Sequence, residues 1–218
     1  MQHQTKVPRK KVNPWTEEQT KQFLNVVMEL GEETIYEGFV FNGMRRGEML
    51  GLKWSDIDFE KAIIRISRSL ARTVEKGLFL KDVKTVSSRR QISIFPYLVG
   101  KLIRHKENQE KLKNELGAAY HDENSVFCAY DGKYKDPRNL LREFDRYIKK
   151  AEVPKITLHD LRHLHATLLM IYGENPKVVA ERLGHADVDT LLNIYSHVNE
   201  DLQRGAADRF EKSFFKRG

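Results

Sequence analysis

The chain has 218 residues, which allows one sizeable core and a small second lobe but not two domains of ordinary size. Its 38 Lys and Arg residues outnumber its 31 Asp and Glu residues, and the formal charge of +7 favours a polyanionic partner such as nucleic acid. One cysteine excludes an intramolecular disulfide and a cysteine-based zinc site. The sequence contains no apolar run of membrane-spanning length and no signal peptide, so we expect a cytoplasmic protein without a membrane partner.

The first predicted helix follows a basic tail. Residues 1–14 carry several Lys and Arg side chains and no acidic one, which predicts a linker or tail. Thr16 and Gln19 have the spacing of a capping box, so the helix begins there, and Gly31 is a stop signal.

The next segment predicts more helix and then a change of period. Residues 34–41 predict a second helix, and we expect most of residues 42–58 to be helical as well. From residue 62 onward, apolar and polar side chains alternate in "IIRIS", "GLFLKDVK" and "RRQISIF", which predicts a small antiparallel sheet of about three strands. This region is strongly basic: Arg65, Arg68, Arg72, Lys81, Lys84, Arg89 and Arg90.

The remainder of the chain predicts helices. The start signals are Asp136 with Pro137, Thr157 with Asp160, and Asn175 with Pro176, while Gly173 and Gly184 are the stop signals. A short helix through Tyr195 follows, and then a terminal helix with an apolar stripe at every fourth residue: Leu202, Ala206, Phe210 and Phe214. The spacing leaves open whether this stripe packs on its own core or on a neighbouring protomer.

Several residues on these elements could carry chemistry, and each has an ordinary structural alternative. His159 and His163 share one helix face, but the sequence has no HExxH motif, and the guanidinium of Arg162 disfavours a bound cation. His159 and Arg162 at a helix start could instead bind an anion such as phosphate. In the alternative, His159 caps its helix and Arg162 pairs with a surface carboxylate.

Two further cations leave the same choice open. Arg45 could face a ligand next to Gly43, or it could belong to a surface salt-bridge set with Glu48. Lys84 lies in the polar connection after a predicted strand, and by itself this position favours an ordinary hairpin lysine over a site residue.

The order of these signals along the chain carries more information than any one of them. "GMRRGEMLGLKWSDID", "KTVSSRRQISI", "HDLRHLHATLL" and "LGHADVDTLLNIYSHV" resemble, in order, the sequence boxes of the tyrosine recombinase or phage integrase family, in its catalytic domain. The resemblance extends from Trp15 to about Val198. Asn42, Leu164 and Leu191 depart from the family pattern at supporting positions.

The resemblance implies an α+β fold, mainly helical, with a small three-stranded antiparallel sheet. It also implies site-specific DNA recombination through a 3′-phosphotyrosyl intermediate. The expected catalytic residues are Arg45, Lys84, His159, Arg162, His185 and Tyr195. In this assignment the arginines stabilise charge on the phosphate, Tyr195 is the nucleophile, and no cofactor or metal is needed.

The same resemblance sets expectations for organisation and partners. We expect residues 1–14 to form a linker, 15–198 the catalytic domain and 199–218 a helical tail, with the family's N-terminal core-binding domain absent. The expected partner is double-stranded DNA, on which the protein forms a homotetramer while being a monomer when free. Two alternatives are DNA relaxation of the type IB topoisomerase kind, and a non-catalytic DNA-binding protein.

Overall fold

A computed structural model describes residues 14–83, 89–184, 210–211 and 214–215. Seven α-helices are found in this part of the chain: α1 (Glu17–Glu29), α2 (Glu33–Asn42), α3 (Arg46–Leu50), α4 (Pro96–Leu116), α5 (Pro137–Lys150), α6 (Leu158–Ile171) and α7 (Pro176–Leu183). Five strands lie between α3 and α4: β1 (Ile57–Asp58), β2 (Ile63–Ile66), β3 (Arg68–Thr73), β4 (Gly77–Asp82) and β5 (Arg90–Ser93). The mainly helical α+β class is therefore confirmed.

The predicted helix starts are confirmed because their signals are local. Thr16 caps α1 through a complete capping box with Gln19. Thr157 caps α6 in the same way, with Asp160 as its partner. These caps satisfy backbone N–H groups that the first turn of a helix otherwise leaves without a partner.

The segment 34–58 is mostly helical, as predicted, but in three separate pieces: α2, α3 and a short 3₁₀ turn at Trp54–Asp56. Gly43 ends α2 in the left-handed conformation with φ of 59°, and Gly51 lies so close to β3 that a Cβ atom would be 2.8 Å from the backbone nitrogen of Leu70. Tertiary packing of α3 against the hairpin therefore limits the helix, although its apolar spacing favours a longer one.

The strands form two antiparallel sheets. The three-stranded sheet has the order β1-β2-β5, and β3 pairs with β4 in a separate hairpin. A three-stranded antiparallel sheet was predicted and is present, but "GLFLKDVK" belongs to the hairpin and the short β1 takes the third place. The pairing of β2 with β5 is non-local, so period-two alternation could not identify it.

An aromatic cluster joins the N-terminal helices to α5. Phe23 lies 5.4 Å from both Tyr36 and Phe144, measured between ring centroids, and all three are fully buried. Trp15 packs on Phe23, and its indole Nε1 donates a 2.7 Å hydrogen bond to the carbonyl of Pro154. The start of the described chain is thereby fixed to the segment that leads into α6.

A smaller apolar cluster holds α7 on α6. Ala166 and Met170 of α6 pack with Val179 and Leu183 of α7, and all four are buried. Helix α7 begins after its cap Asn175 and ends at Gly184, which has φ of 69°. Both predicted ends of this helix are confirmed.

Some predicted elements lie outside the described residues, namely the connection containing Lys84 and the helix through Tyr195. Of the predicted C-terminal stripe, Phe210 and Phe214 are described, and both side chains are exposed. In the part of the chain that the structure covers, no helix is both long and apolar enough to cross a membrane.

Candidate active site

Three of the six predicted catalytic residues are described, and two of them converge. Arg45 and Arg162 lie at the same end of α7, while His159 is in the first turn of α6. Lys84, His185 and Tyr195 lie outside the described residues, so their assignments stay predictions.

Arg45 occupies the position immediately before α3. Its backbone N–H donates a 2.9 Å hydrogen bond to Oε2 of Glu48, and its Nη1 donates a 2.8 Å bond to Oε1. The Arg45 side chain is 39% exposed, whereas the Glu48 side chain is only 2% exposed. This is not an exposed salt-bridge set, because the carboxylate is buried and holds a partly open guanidinium in place.

Glu48 also binds Arg90, the first residue of β5. Nη1 and Nη2 of Arg90 donate bonds of 3.0 and 2.8 Å to the two carboxylate oxygens, which gives a bidentate pair across 42 residues of sequence. Burial alone would raise the pKa of Glu48, but the hydrogen bonds from Arg90 and Arg45 outweigh it, and the pKa is lowered. Glu48 is therefore ionised at neutral pH.

Arg162 is buried on α6. Its Nη1 donates a 2.7 Å hydrogen bond to the carbonyl of Gly43, and its Nη2 donates to the carbonyl of Leu183. Burial, and then the positive charges of Arg45 and Arg90, lower the pKa of Arg162 to about 9. Arg162 remains charged at neutral pH, and its crowding by like charges favours a bound anion.

The end of α7 brings the guanidinium groups together. The carbonyls of residues 182, 183 and 184 accept hydrogen bonds from Arg90 (2.7 Å), Arg162 and Arg45 (3.3 Å), respectively. The C-terminal carbonyls of a helix carry partial negative charge, so they stabilise cations that would otherwise repel one another. His185 is the next residue in the sequence.

The site has a positive charge excess. Among the described residues, the three guanidinium groups of Arg45, Arg90 and Arg162 surround one carboxylate, Glu48, and these four side chains sum to a formal charge of +2. Backbone carbonyls contribute only partial charges to the balance. An anion such as a phosphodiester is therefore electrostatically favoured here.

His159 is exposed beside the buried Arg162. Thr157 caps α6, so the alternative in which His159 caps its own helix is wrong. The rings of His159 and His163 meet edge to face at 4.7 Å between centroids. Partial desolvation of the ring, and then the charges of His163 and Arg162, lower the pKa of His159, so its imidazole is mostly neutral at pH 7 and is able to accept a proton. Among the described residues, no His, Cys, Asp or Glu cluster has metal-ligating geometry.

Glu48 and Arg90 are parts of the site that were not predicted from the sequence. Glu48 entered only in the open alternative of a surface salt-bridge set with Arg45. Arg90 was noted only as one of several basic residues on the sheet. The burial of Glu48 and its bonds to Arg90 identify both residues as part of the site. Burial depends on the tertiary structure, so the sequence does not show it.

These features define a class of protein, a mainly helical α+β domain that gathers three guanidinium groups at the end of a helix. The family model described as "Phage integrase family" matches residues 15–201. Because this match covers most of the chain, the protein belongs to the phage integrase family.

Individual relatives agree with this membership. The chain is 36% identical over 210 residues to the ICEBs1 integrase of Bacillus subtilis (strain 168), and the match covers 93% of this chain and 55% of the relative. It is 34% identical to a XerC-like tyrosine recombinase of Caldanaerobacter subterraneus subsp. tengcongensis, over 79% of this chain and 47% of the relative. The chain thus spans about half the length of these curated relatives.

A solved structure shares the fold. The integrase of transposon Tn1549, in complex with circular intermediate DNA, superimposes with a TM-score of 0.79 at 25% sequence identity. The similarity covers 93% of this chain and 68% of that one.

Proposed function

We propose that this chain is the catalytic domain of a site-specific DNA recombinase that integrates or excises mobile DNA by strand cleavage and rejoining. The single observation that carries the proposal is the convergence of Arg45 and Arg162 on adjacent carbonyls, Gly184 and Leu183. Family membership and a DNA-bound structural relative support DNA as the substrate.

The arginine pair matches the main electrostatic demand of this reaction. Attack on a phosphodiester places additional negative charge on the non-bridging oxygens in the transition state, and fixed cationic donors stabilise that charge. The Arg45 side chain is 39% exposed and is therefore accessible to a ligand. Arg162 is held in position by its hydrogen bonds to the carbonyls of Gly43 and Leu183. Planar guanidinium groups suit two oxygens of one phosphate.

The remaining roles follow from the family resemblance. The phenolic oxygen of Tyr195 attacks phosphorus and forms a 3′-phosphotyrosyl bond while the bond to the 5′ oxygen breaks. His159 accepts the phenolic proton, Lys84 protonates the departing 5′ oxygen, and His185 donates a hydrogen bond to a phosphate oxygen. A second 5′-hydroxyl reverses these steps on a different strand.

The organisation is part of the same proposal. Residues 1–14 form a linker, 15–198 the catalytic domain and 199–218 a helical tail, and the burial of Trp15 supports a boundary at that position. On double-stranded DNA the protein forms a homotetramer, and it is a monomer when free. A cytoplasmic location follows from DNA as the substrate.

A nicked oligonucleotide tests the function directly. The nick lies a few nucleotides from the cleavage site, so the short 5′-hydroxyl strand diffuses away and the covalent adduct accumulates. We expect the adduct to map to Tyr195 and to be absent in Tyr195→Phe. Tyr130→Phe is the matched control, because Tyr130 is 70% exposed and lies outside the four sequence boxes of the family.

The outcomes separate the alternatives. An adduct that persists in Tyr195→Phe contradicts the assignment of Tyr195 and indicates another nucleophile. An unmodified chain that forms no adduct contradicts the proposal and favours a DNA-binding role without catalysis. Relaxed plasmid circles without exchanged strands indicate topoisomerase activity instead.

A further inference from the structure

Arg182 connects the end of α7 to three other elements. Its Nε donates a 3.1 Å hydrogen bond to Nε2 of His165 on α6, and its Nη1 donates a 2.9 Å bond to the carbonyl of Ser93 at the end of β5. Its Nη2 donates a 3.1 Å bond to the carbonyl of Phe41 in α2. One side chain therefore fixes α7 relative to the sheet and to two helices.

His165 is held in one tautomer by this contact. Because Nε2 accepts a hydrogen bond from Arg182, the proton resides on Nδ1, which donates to the carbonyl of Val40 at 2.9 Å. Burial, together with the charge of Arg182, lowers the pKa of His165 to about 3. The imidazole therefore stays neutral, and it supports Arg182 without adding repulsion.

The space around His165 leaves little freedom for movement. A Cβ atom on Gly43 would lie 2.5 Å from Cδ2 of His165 and 2.7 Å from Cδ2 of Leu183. Gly43 is also the residue whose carbonyl accepts from Arg162. His165, which bonds to Arg182, therefore packs against Gly43, whose carbonyl bonds to Arg162.

The position of the α7 end matters because the three site arginines bond to its backbone. The carbonyl of Arg182 itself accepts from Arg90, and the next two carbonyls accept from Arg162 and Arg45. A displacement of this turn would move all three acceptors at once. The side chain of Arg182 bonds to none of these three site arginines in the described hydrogen bonds; its partners are His165, Ser93 and Phe41.

We propose that Arg182, supported by neutral His165, is a positioning residue that fixes the carbonyl turn on which Arg45 and Arg162 are placed for phosphate. This inference rests on the proposed function for its kinetic consequence. It assigns Arg182 no contact with DNA.

The variants are Arg182→Lys, Arg182→Gln and His165→Gln in the full 218-residue chain. Lysine keeps the charge but cannot make the three divergent hydrogen bonds of a guanidinium. Arg142→Gln on the exposed face of α5 is the matched control, since its described contact is only with the neighbouring Asn139.

The kinetic readout is single-turnover adduct formation on the nicked oligonucleotide, measured at saturating protein and low salt. We expect the rate constant to fall by tenfold to a hundredfold in Arg182→Gln and less in Arg182→Lys, while the DNA dissociation constant changes by less than threefold. A residue needed only for folding would lower the active fraction but would leave the rate constant of the folded protein unchanged.

A double-mutant cycle tests whether Arg182 acts through Arg45. If positioning is the role, Arg182→Gln should cost much less in an Arg45→Lys background than in the parent chain, because the group being positioned is already lost. Additive effects would overturn the proposal, as would an unchanged rate constant in Arg182→Gln.

Hydrogen exchange separates this inference from the proposed function. We expect backbone amides in the peptide covering residues 176–184 to exchange at least tenfold faster in Arg182→Gln than in the parent chain. This result is independent of DNA cleavage, so a parent chain that forms no adduct overturns the function alone. Unchanged exchange overturns the anchoring.

Discussion

At the residue scale, Glu48 shows how burial changes the meaning of a charge. The carboxylate of Glu48, whose side chain is 2% exposed, holds Arg45 just before α3 and Arg90 at the start of β5. Removing one partner of such a buried set leaves a buried charge without a counter-charge or water, and this typically costs about 3–5 kcal/mol. Glu48 is therefore expected to matter for stability as well as for the site.

The first prediction concerns Glu48→Gln. Hydrogen bonds lower the folded-state pKa of Glu48, so its stabilisation is fully present above its ordinary pKa of 4.5 and is lost as pH falls through the folded value. We expect the variant to be about 3 kcal/mol less stable at pH 7, with a smaller difference below pH 4.5. Urea unfolding at several pH values measures this, and the exposed Glu18→Gln should show neither effect.

The second prediction concerns Arg162→Lys. Lysine lacks the planar fork that spans the carbonyls of Gly43 and Leu183, so its charge would be misplaced relative to the phosphate. We expect single-turnover cleavage to slow by about a hundredfold or more. Arg146→Lys, at an exposed position of α5, should retain the parent rate, and an equal loss in both variants would contradict the role given to Arg162.

Some site residues could be predicted from the sequence and others could not. The resemblance identified Arg45 and Arg162, which the structure brings together. The roles of Glu48 and Arg182 could not be predicted, because each depends on partners more than 40 residues away. Side-chain type and local spacing contain no information about such contacts.

At the element scale, helix ends were more predictable than strand partners. The caps of α1, α6 and α7 use residues within one turn, so their signals are visible in the sequence. The separation of the β3-β4 hairpin from the three-stranded sheet depends on long-range pairing, and the shortness of α3 depends on its contact with β3. Neither follows from periodicity.

The third prediction uses the turn between α2 and α3. Gly43 has φ of 59°, and a Cβ atom there would overlap His165 and Leu183. We expect Gly43→Ala to lower the free energy of unfolding by about 2 kcal/mol or more, from backbone strain and overpacking together. Gly100→Ala is the control: apart from adjacent residues and the nearby backbone of its own helix, no atom lies within 4 Å of the added methyl group, and replacing a glycine inside a helix should stabilise by about 0.5–1 kcal/mol. Urea unfolding compares the two.

At the scale of the whole molecule, Trp15 joins the beginning of the described chain to the approach of α6. Its ring lies in the cluster with Phe23 and Phe144, and its indole N–H is bonded to Pro154. The family match also starts at residue 15. The proposed boundary thus coincides with a buried side chain.

The fourth prediction tests that boundary. We expect Trp15→Ala to lower the free energy of unfolding by about 3–5 kcal/mol, the usual cost of truncating a buried aromatic residue. A chain shortened to begin at Pro14 should unfold at the same urea concentration as the parent. Marked destabilisation on loss of residues 1–13 would place the boundary earlier.

The three acceptors at the end of α7 belong to the main chain. No codon change can delete a peptide oxygen, so side-chain substitutions in this helix other than at Arg182 leave the acceptors of Arg45, Arg90 and Arg162 in place while the backbone path persists. Chemical synthesis reaches what mutagenesis cannot, because thioamide replacement weakens one chosen oxygen acceptor at a time. The acceptors of this centre therefore depend on the path of the backbone and not on side-chain identity.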